Sequence, residues 1–395
     1  MIYSDFNGTK LSKLGFGTMR FPLIEGTQNI DEAAASKMID YAMENGINYF
    51  DTAYPYHLGR SEIFIGKALK KFPRDSYYLA TKYPGHQIAK SYDPERTFEE
   101  QLEKCGVDYF DFYLYHNVCE NSIDTYLDPK WGIVDYFIEQ KKCGRIKHLG
   151  FSTHGMVHTM ERFLDYVGNE IEFCQIQLNY LDWTLQNAKA KCELLSARGL
   201  PIWVMEPIRG GKLATLSKEA EAQLKALRPD ESIPAWSFRW LQEIKNITVI
   251  LSGMSNMDQL KDNIETFTER KPLTCVEKEL LNEIADGLTN SIPCTSCRYC
   301  TEVCPQDLDI PLFMSAYNNI CYQPSPTAGM VLEALPSDKQ PSVCLGCGAC
   351  KDMCPQNIDI PEILSDLSRR FDKMPKWADL CREREKAALR MRETR

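Results

Sequence analysis

The residues with the plainest chemistry are cysteines. Cys294, Cys297, Cys300 and Cys304 stand at x2, x2, x3 spacing and run into Pro305-Gln306-Asp307-Leu308-Asp309-Ile310-Pro311. The pattern returns fifty residues later (294 to 344) as Cys344, Cys347, Cys350 and Cys354, followed by Pro355-Gln356-Asn357-Ile358-Asp359-Ile360-Pro361. Thiolates so placed are the ligand run of an iron–sulfur cubane. Three on one tight turn reach three irons, and the fourth, about a helical turn on, reaches the other cluster. Two copies predict two 4Fe-4S clusters, one on Cys294, Cys297, Cys300 and Cys354, the other on Cys344, Cys347, Cys350 and Cys304. Structural zinc is the rival, but zinc takes its ligands as two C-x2-C pairs, a different register. Nine of the 16 cysteines lie between 294 and 354, which reads as metal binding rather than a disulfide framework. Cys321 fits neither run and reads as a buried core thiol.

A second reactive set is spread over the first 270 positions, at the ends of strand-like segments. Asp51 ends F-D-T-A with Tyr56 five residues on; Lys82 stands in L-A-T-K, His116 in F-Y-L-Y-H, Ser152 in L-G-F-S and Gln175 in F-C-Q-I-Q. A phenol with a pKa near 10 is a poor acid at neutral pH, but a nearby ammonium lowers that pKa and a carboxylate holds the ammonium in place. Such a tyrosine can protonate an alkoxide as hydride reaches a carbonyl carbon.

These residues need a scaffold that gathers strand ends. Strand patterns fall at Leu14–Met19, Tyr49–Thr52, Tyr77–Lys82, Phe110–His116, Ile146–Phe151, Phe173–Gln177, Ile202–Met205 and Ile247–Leu251. Helical stripes lie between them, such as Ala35, Met38, Ile39, Ala42 and Met43. Eight strands alternating with helices predict an α/β chain whose main body is a (β/α)8 TIM barrel, with its chemistry at the C-terminal ends of the strands. An open doubly wound sheet is the alternative, but Leu14-Gly15-Phe16-Gly17-Thr18 lacks the third glycine of a dinucleotide fingerprint. Alternation around Asn7-Gly8 predicts a hairpin over Ile2–Lys13 capping the barrel floor. The expected divisions are a barrel over 1–290, a small, mainly α-helical ferredoxin-like domain over 291–372, and a charged C-terminal helix over 373–395, read as exposed and solvated.

Composition narrows the function classes. The 395 residues are 44% hydrophobic and 26% charged, with a net charge of −9, which excludes disorder as the main state and argues against a nucleic-acid partner. No run approaches the roughly 18 apolar residues of a membrane span, and Met1–Lys10 lacks a secretory leader, so a cytoplasmic protein without a membrane partner is expected.

The motifs together resemble the aldo-keto reductases: L-G-F-G-T-M (14–19), F-D-T-A-Y-P-Y (50–56), L-A-T-K (79–82), V-D-Y-F-D-F-Y-L-Y-H (107–116), I-K-H-L-G-F-S (146–152) and S-G-M-S-N-M-D-Q-L-x-x-N (252–263). The resemblance implies Tyr56 as general acid, Lys82 and Asp51 as its tuning pair, and His116 at the carbonyl oxygen. It implies Ser152 and Gln175 at a nicotinamide carboxamide, and Ser252, Gly253, Met254, Ser255, Gln259 and Asn263 at the adenosine end of NADP or NAD. Glu206 stands where many members stack an aromatic residue on the ring, Thr153 and His154 where an Asn is usual, and Gln259 at the place of a phosphate-binding Arg. Arg209, Lys212 or Lys261 could reach a phosphate instead. The C-terminal runs are similar to the α-helical dicluster ferredoxin modules of flavoprotein reductases and dehydrogenases. Arg20, Phe21, Tyr54, Tyr83, His86, Trp183 and Arg209 are expected at the mouth, a set suited to a carbonyl substrate bearing a carboxylate or phosphate.

Hydride carries two electrons and each cluster passes one, so a flavin or a one-electron partner normally mediates between them. Three readings follow. In the first, an aldo-keto reductase-type oxidoreductase exchanges electrons with an external carrier (a ferredoxin or flavoprotein) or a bound flavin. In the second, an NAD(P)-dependent carbonyl reductase has clusters that are structural or dock a partner. In the third, a non-catalytic electron-transfer subunit merely binds a nucleotide.

Overall fold

The computed structural model describes residues 1–288 and 292–393, so the expected division at 290/291 lies outside the described residues. The chain opens with an antiparallel hairpin, β1 (Tyr3–Phe6) and β2 (Thr9–Ser12). Asn7 and Gly8 both have positive φ (51° and 81°), as a type I′ turn requires. The hairpin carries Phe6 into the barrel floor, edge-on to Trp203 with ring centroids 5.1 Å apart.

Eight parallel strands follow: β3 (Leu14–Gly17), β4 (Tyr49–Asp51), β5 (Tyr78–Tyr83), β6 (Phe110–Tyr115), β7 (Ile146–Thr153), β8 (Phe173–Gln177), β9 (Ile202–Met205) and β10 (Ile247–Gly253). They close in the order β10-β3-β4-β5-β6-β7-β8-β9, with β10 pairing β3 through Ile250–Leu14 and Ser252–Phe16. β3 ends two residues earlier than its hydrophobic pattern suggests, because Thr18–Arg20 turns into a short 3-10 segment. Side chains alternate across each strand. On β5, Thr81 and Tyr83 face the helix layer, where Thr81 Oγ1 donates to Glu62 at 2.7 Å and Tyr83 packs on Phe137, while Lys82 faces inward. Tyr49, Phe112, Phe173, Trp203 and Val249 fill the lower interior, so the barrel is solid beneath its mouth.

Beyond the barrel the two cysteine repeats fold alike. Each encloses a four-residue helix, Tyr299–Glu302 and Ala349–Asp352, and then starts a thirteen-residue one, Ile310–Tyr322 and Ile360–Asp372. The repeated D-I-P sequence explains the starts: Asp309 and Asp359 cap the backbone N–H of Leu312 and Glu362, and the proline sits in the first turn, where no N–H is needed. Leu308, Ile310, Phe313, Ile358, Ile360, Leu364 and Leu367 make the shared core. Cys321 is exposed rather than buried, on the outer face of the Ile310–Tyr322 helix.

The expected solvated tail is also corrected. Trp377–Glu393 is a helix laid against the barrel: Trp377 and Cys381 are 5% and 1% exposed, and Trp377 Nε1 donates to His86 O at 3.1 Å. Trp377, Cys381, Arg384, Ala388 and Met391 recur at i, i+4, i+7, i+11 and i+14, one face of a helix. Apart from Arg384, the tail's many charges lie off this stripe and hide it from a reading based on charge.

Candidate active site and thiol cavities

At the strand ends lies a cavity of about 540 Å³. Asp51 closes β4 and Lys82 comes inward from β5, fully buried. Lys82 Nζ donates to Asp51 Oδ1 at 2.5 Å, to Thr52 O at 2.7 Å and to Tyr56 Oη at 3.4 Å. Tyr56 stands half-buried in the loop after β4, its ring edge-on to His116 at 5.9 Å. His116 follows β6 directly; its backbone N–H continues the ladder to Tyr83 O at 3.1 Å, and its carbonyl accepts from Tyr126 Oη at 2.7 Å.

Electrostatics set the protonation states. Burial raises the Tyr56 pKa, and Lys82 partly offsets that, so the phenol stays protonated at neutral pH. Burial opposes the Lys82 charge, but Asp51 and then Tyr56 outweigh it, and its pKa is raised. Burial drives the His116 pKa well below the usual value, helped by His86, Lys82, Arg384 and His154, so the imidazole is neutral. A neutral imidazole offers one N–H to an acceptor.

The remaining expected site residues also line the cavity: Ser152, Gln175, Glu206, Arg209, Ser252, Gly253, Met254, Ser255, Gln259 and Asn263. Ser152 Oγ accepts from Asn117 N at 2.9 Å, and Ser252 Oγ accepts from Asn263 Nδ2 at 3.0 Å. Gln259, in the first turn of the helix Met257–Thr266, turns its side chain back to accept from Ser255 N at 2.8 Å. A Cβ at Gly253 would fall 2.6 Å from Arg20 Cγ, so only glycine admits that side chain across the β10 loop. Gln175 Oε1, Asp51 Oδ2 and His116 Nδ1 are buried without a hydrogen-bond partner among the described residues. A carboxamide N–H suits the first of these. Glu206, at φ 56°, has its pKa raised by burial against the pull of Arg20. Arg209 is only 3% exposed: it pairs with Asp182, donates from Nη2 to Asn319 Oδ1 at 2.6 Å and from Nε to Gln323 Oε1 at 3.2 Å, and so joins the barrel to the C-terminal helices.

Of the residues expected at the mouth, Arg20, His86 and Arg209 are there. Phe21 packs on Phe64, Tyr54 bonds Glu100, Tyr83 faces the helix layer and Trp183 packs on Trp240. Their places are taken by residues the sequence reading missed. Asn319, Gln323, Thr327, Trp377 and Arg384 form a wall contributed by the C-terminal segment. The i, i+4, i+7 stripe of the last helix was the signal that could have found two of them.

Two further cavities hold the repeated cysteines. One is lined by Cys294, Cys297, Cys300 and Cys354; the other by Cys304, Cys344, Cys347 and Cys350. Among the described residues no three or more His, Cys, Asp or Glu are drawn together tightly enough for a single metal ion. Each cavity takes three cysteines from one repeat and the fourth from the other, the ligand pattern of paired iron–sulfur cubanes.

A model of the aldo/keto reductase family matches residues 13–285, and one of a 4Fe-4S dicluster domain matches 293–358. The NADH-specific methylglyoxal reductase of Escherichia coli (strain K12) is 26% identical over 324 residues, which cover 70% of this chain and 96% of that protein. L-galactose dehydrogenase of Arabidopsis thaliana is 26% identical over 302 residues, covering 70% and 90%. The solved structure of an aldo-keto reductase from Bacillus halodurans (holo form) matches with a TM-score of 0.58 at 26% identity, covering 72% of this chain and 96% of that one. With a family match across most of its length and a closed eight-stranded barrel beneath its reactive residues, the chain belongs to the aldo/keto reductase family and carries a 4Fe-4S dicluster domain after the barrel.

Proposed function

We propose that the protein interconverts a small carbonyl compound and its alcohol with NADP or NAD, and that two 4Fe-4S clusters connect this site to an external ferredoxin or flavoprotein, or to a bound flavin. The observation that carries the reading is the buried Lys82 ammonium bonded to both Asp51 and the Tyr56 hydroxyl at the base of the cavity. When bound, the reduced nicotinamide supplies hydride to the carbonyl carbon. Tyr56 then gives its proton to the carbonyl oxygen as the C=O π bond breaks, and is reprotonated from water. Lys82 stabilises the phenolate, Asp51 holds Lys82, and neutral His116 orients the oxygen through its N–H. Ser152 and Gln175 hold the carboxamide, the buried Gln175 Oε1 accepting its N–H, with Glu206 near the ring. Ser252, Gly253, Met254, Ser255, Gln259 and Asn263 take the adenosine phosphates. The relatives reduce methylglyoxal or oxidise L-galactose by name, which supports a small oxygenated substrate.

The thiol sets named above hold the clusters, one from Cys294, Cys297, Cys300 and Cys354, the other from Cys344, Cys347, Cys350 and Cys304. One helix connects the first set to the site: Met314 lines that thiol cavity, while Asn319 and Gln323 line the mouth. Met314 and Asn319 are about 7.5 Å apart along the helix axis. This supports redox traffic over a purely structural role. The division between the parts falls at 290/291, and the setting is a cytoplasm with little oxygen.

The test is an anaerobic visible spectrum of the full protein before and after NADH or NADPH. Bleaching of the cluster absorbance supports the wiring; unchanged clusters during aldehyde reduction leave only the carbonyl reductase. A Tyr56→Phe variant is expected to lose about 10²- to 10⁴-fold in kcat, and full activity would remove Tyr56 from the mechanism.

A further inference from the structure

The last helix places one arginine where an apolar residue would be expected. In the stripe Trp377, Cys381, Arg384, Ala388, Met391, every member but Arg384 is uncharged, and the stripe is the face packed on the barrel. Met391 lies against Gly59, where an added Cβ would come within 3.1 Å of its sulfur, so the helix is seated closely on the loop after Tyr56. Arg384 points from this face into the mouth, on the same cavity wall as Tyr56, His86 and His116. Its guanidinium carbon lies 5.0 Å from the Trp377 ring centroid, a cation–π contact.

What Arg384 lacks is a counterion. Arg382 pairs with Asp379 and Arg392 with Glu100, both outside the mouth. Among the described residues the partly buried Arg384 has no carboxylate partner, and the groups acting on it are the Cys381 thiol and Tyr56. Burial lowers its pKa, the sign of a charge held away from water without compensation. A half-buried guanidinium facing a cavity presents a planar donor fork suited to a carboxylate. Arg384 shares the cavity lining with Tyr56, His86 and His116, so an anion bound to it would sit at the catalytic end.

We propose that Arg384 is the specificity-determining residue for a carbonyl substrate that carries a carboxylate, which it binds while the carbonyl meets Tyr56. The inference rests on the carbonyl-reducing function proposed above and names its substrate class. The Arg384 side chain reaches the site only because the dicluster domain returns the chain to the barrel mouth, so the barrel alone lacks this preference.

The test compares succinic semialdehyde with butanal, four-carbon aldehydes with and without a carboxylate, using the full cluster-loaded protein. Arg384→Met is expected to cut the ratio of kcat/KM for the acid over the neutral aldehyde by roughly 10- to 100-fold, mostly in KM, the range for losing a charge-assisted hydrogen bond. Arg384→Lys should recover part of the ratio. Equal losses on both aldehydes, or an unchanged ratio, overturn the proposal. A parallel titration of succinate, followed by isothermal calorimetry, needs no turnover. If the wild type reduces neither aldehyde, the proposed function fails, while succinate binding to wild type and not to Arg384→Met still upholds the anion site. Equal binding to both, or none to either, overturns it.

Discussion

Replacing Lys82 by Met separates the two tasks assigned to that ammonium. Its Nζ lies 3.4 Å from Tyr56 Oη and 2.5 Å from Asp51 Oδ1, and the side chain is fully buried. At 3.4 Å a unit charge and a full phenolate attract by about 5 kcal/mol with an effective dielectric constant of about 20. With about half the phenolate charge developed at the transition state, the loss is about 2.5 kcal/mol, or roughly 60-fold in the chemical step. Stability should fall as well, since leaving one member of a buried ion pair costs about 3–5 kcal/mol. Asp51, whose pKa burial already raises against the pull of Lys82, escapes part of that cost by taking a proton. The double variant Asp51→Asn/Lys82→Met removes both charges, so its stability should return toward wild type while its rate stays low. Single-turnover reduction of butanal by stopped flow reads the first quantity and anaerobic urea unfolding the second. A Lys82→Met rate within threefold of wild type, or a double variant that regains rate together with stability, would refute the reasoning and leave the ammonium a structural role.

Three further outcomes are expected. Because burial holds His116 and His86 neutral well below the usual histidine range, the kcat/KM profile for carbonyl reduction should be level from pH 6 to 8, and an inflection near pH 6.5 would show that a histidine titrates in turnover. Cys304→Ala should lose roughly half the iron, the share of one of two clusters. Adding Cys344→Ala to it should remove no more, and adding Cys297→Ala should remove the rest; the opposite pattern would break the assignment of Cys304 to the second thiol set. Glu277, held by Arg228 Nε and Nη2 at 2.5 and 2.8 Å, has its carboxyl lowered to about 2. A depressed folded-state pKa gives stability that is present above the unfolded value near 4.5 and lost as pH falls toward 2. Glu277→Gln should therefore destabilise at pH 7 and flatten the acid limb between those values, as measured by thermal unfolding.

Most of the barrel was legible because its signals are local. Each strand reads as a short β-branched or aromatic run, and Asp51, Lys82, Ser152 and Gln175 stand at or near strand ends, where an α/β barrel gathers them. The mouth was read less well because nearness to a strand end does not fix a direction. Tyr83 directly follows the inward Lys82, so the two-residue alternation sends it outward, a parity argument available from the sequence and overridden by its aromatic character. The wall made by Asn319, Gln323, Trp377 and Arg384 depends on contacts across more than 100 positions, for which no local pattern exists. In the tail, charged residues outnumber apolar ones and masked a five-residue stripe that only helical spacing reveals.

The crossed arrangement of the thiols governs the order in which the molecule can be made. During synthesis the set begun by Cys294 stays one sulfur short until Cys354 has emerged, and Cys304 has no companions until Cys344, Cys347 and Cys350 arrive. Neither repeat completes its own set: the second set is whole at Cys350 and the first only at Cys354. The helix that brings Trp377 and Arg384 to the barrel mouth begins beyond Cys354, after the Ile360–Asp372 helix. Completing the two thiol cavities and bringing Trp377 and Arg384 to the barrel mouth thus both depend on chain beyond the first cysteine run.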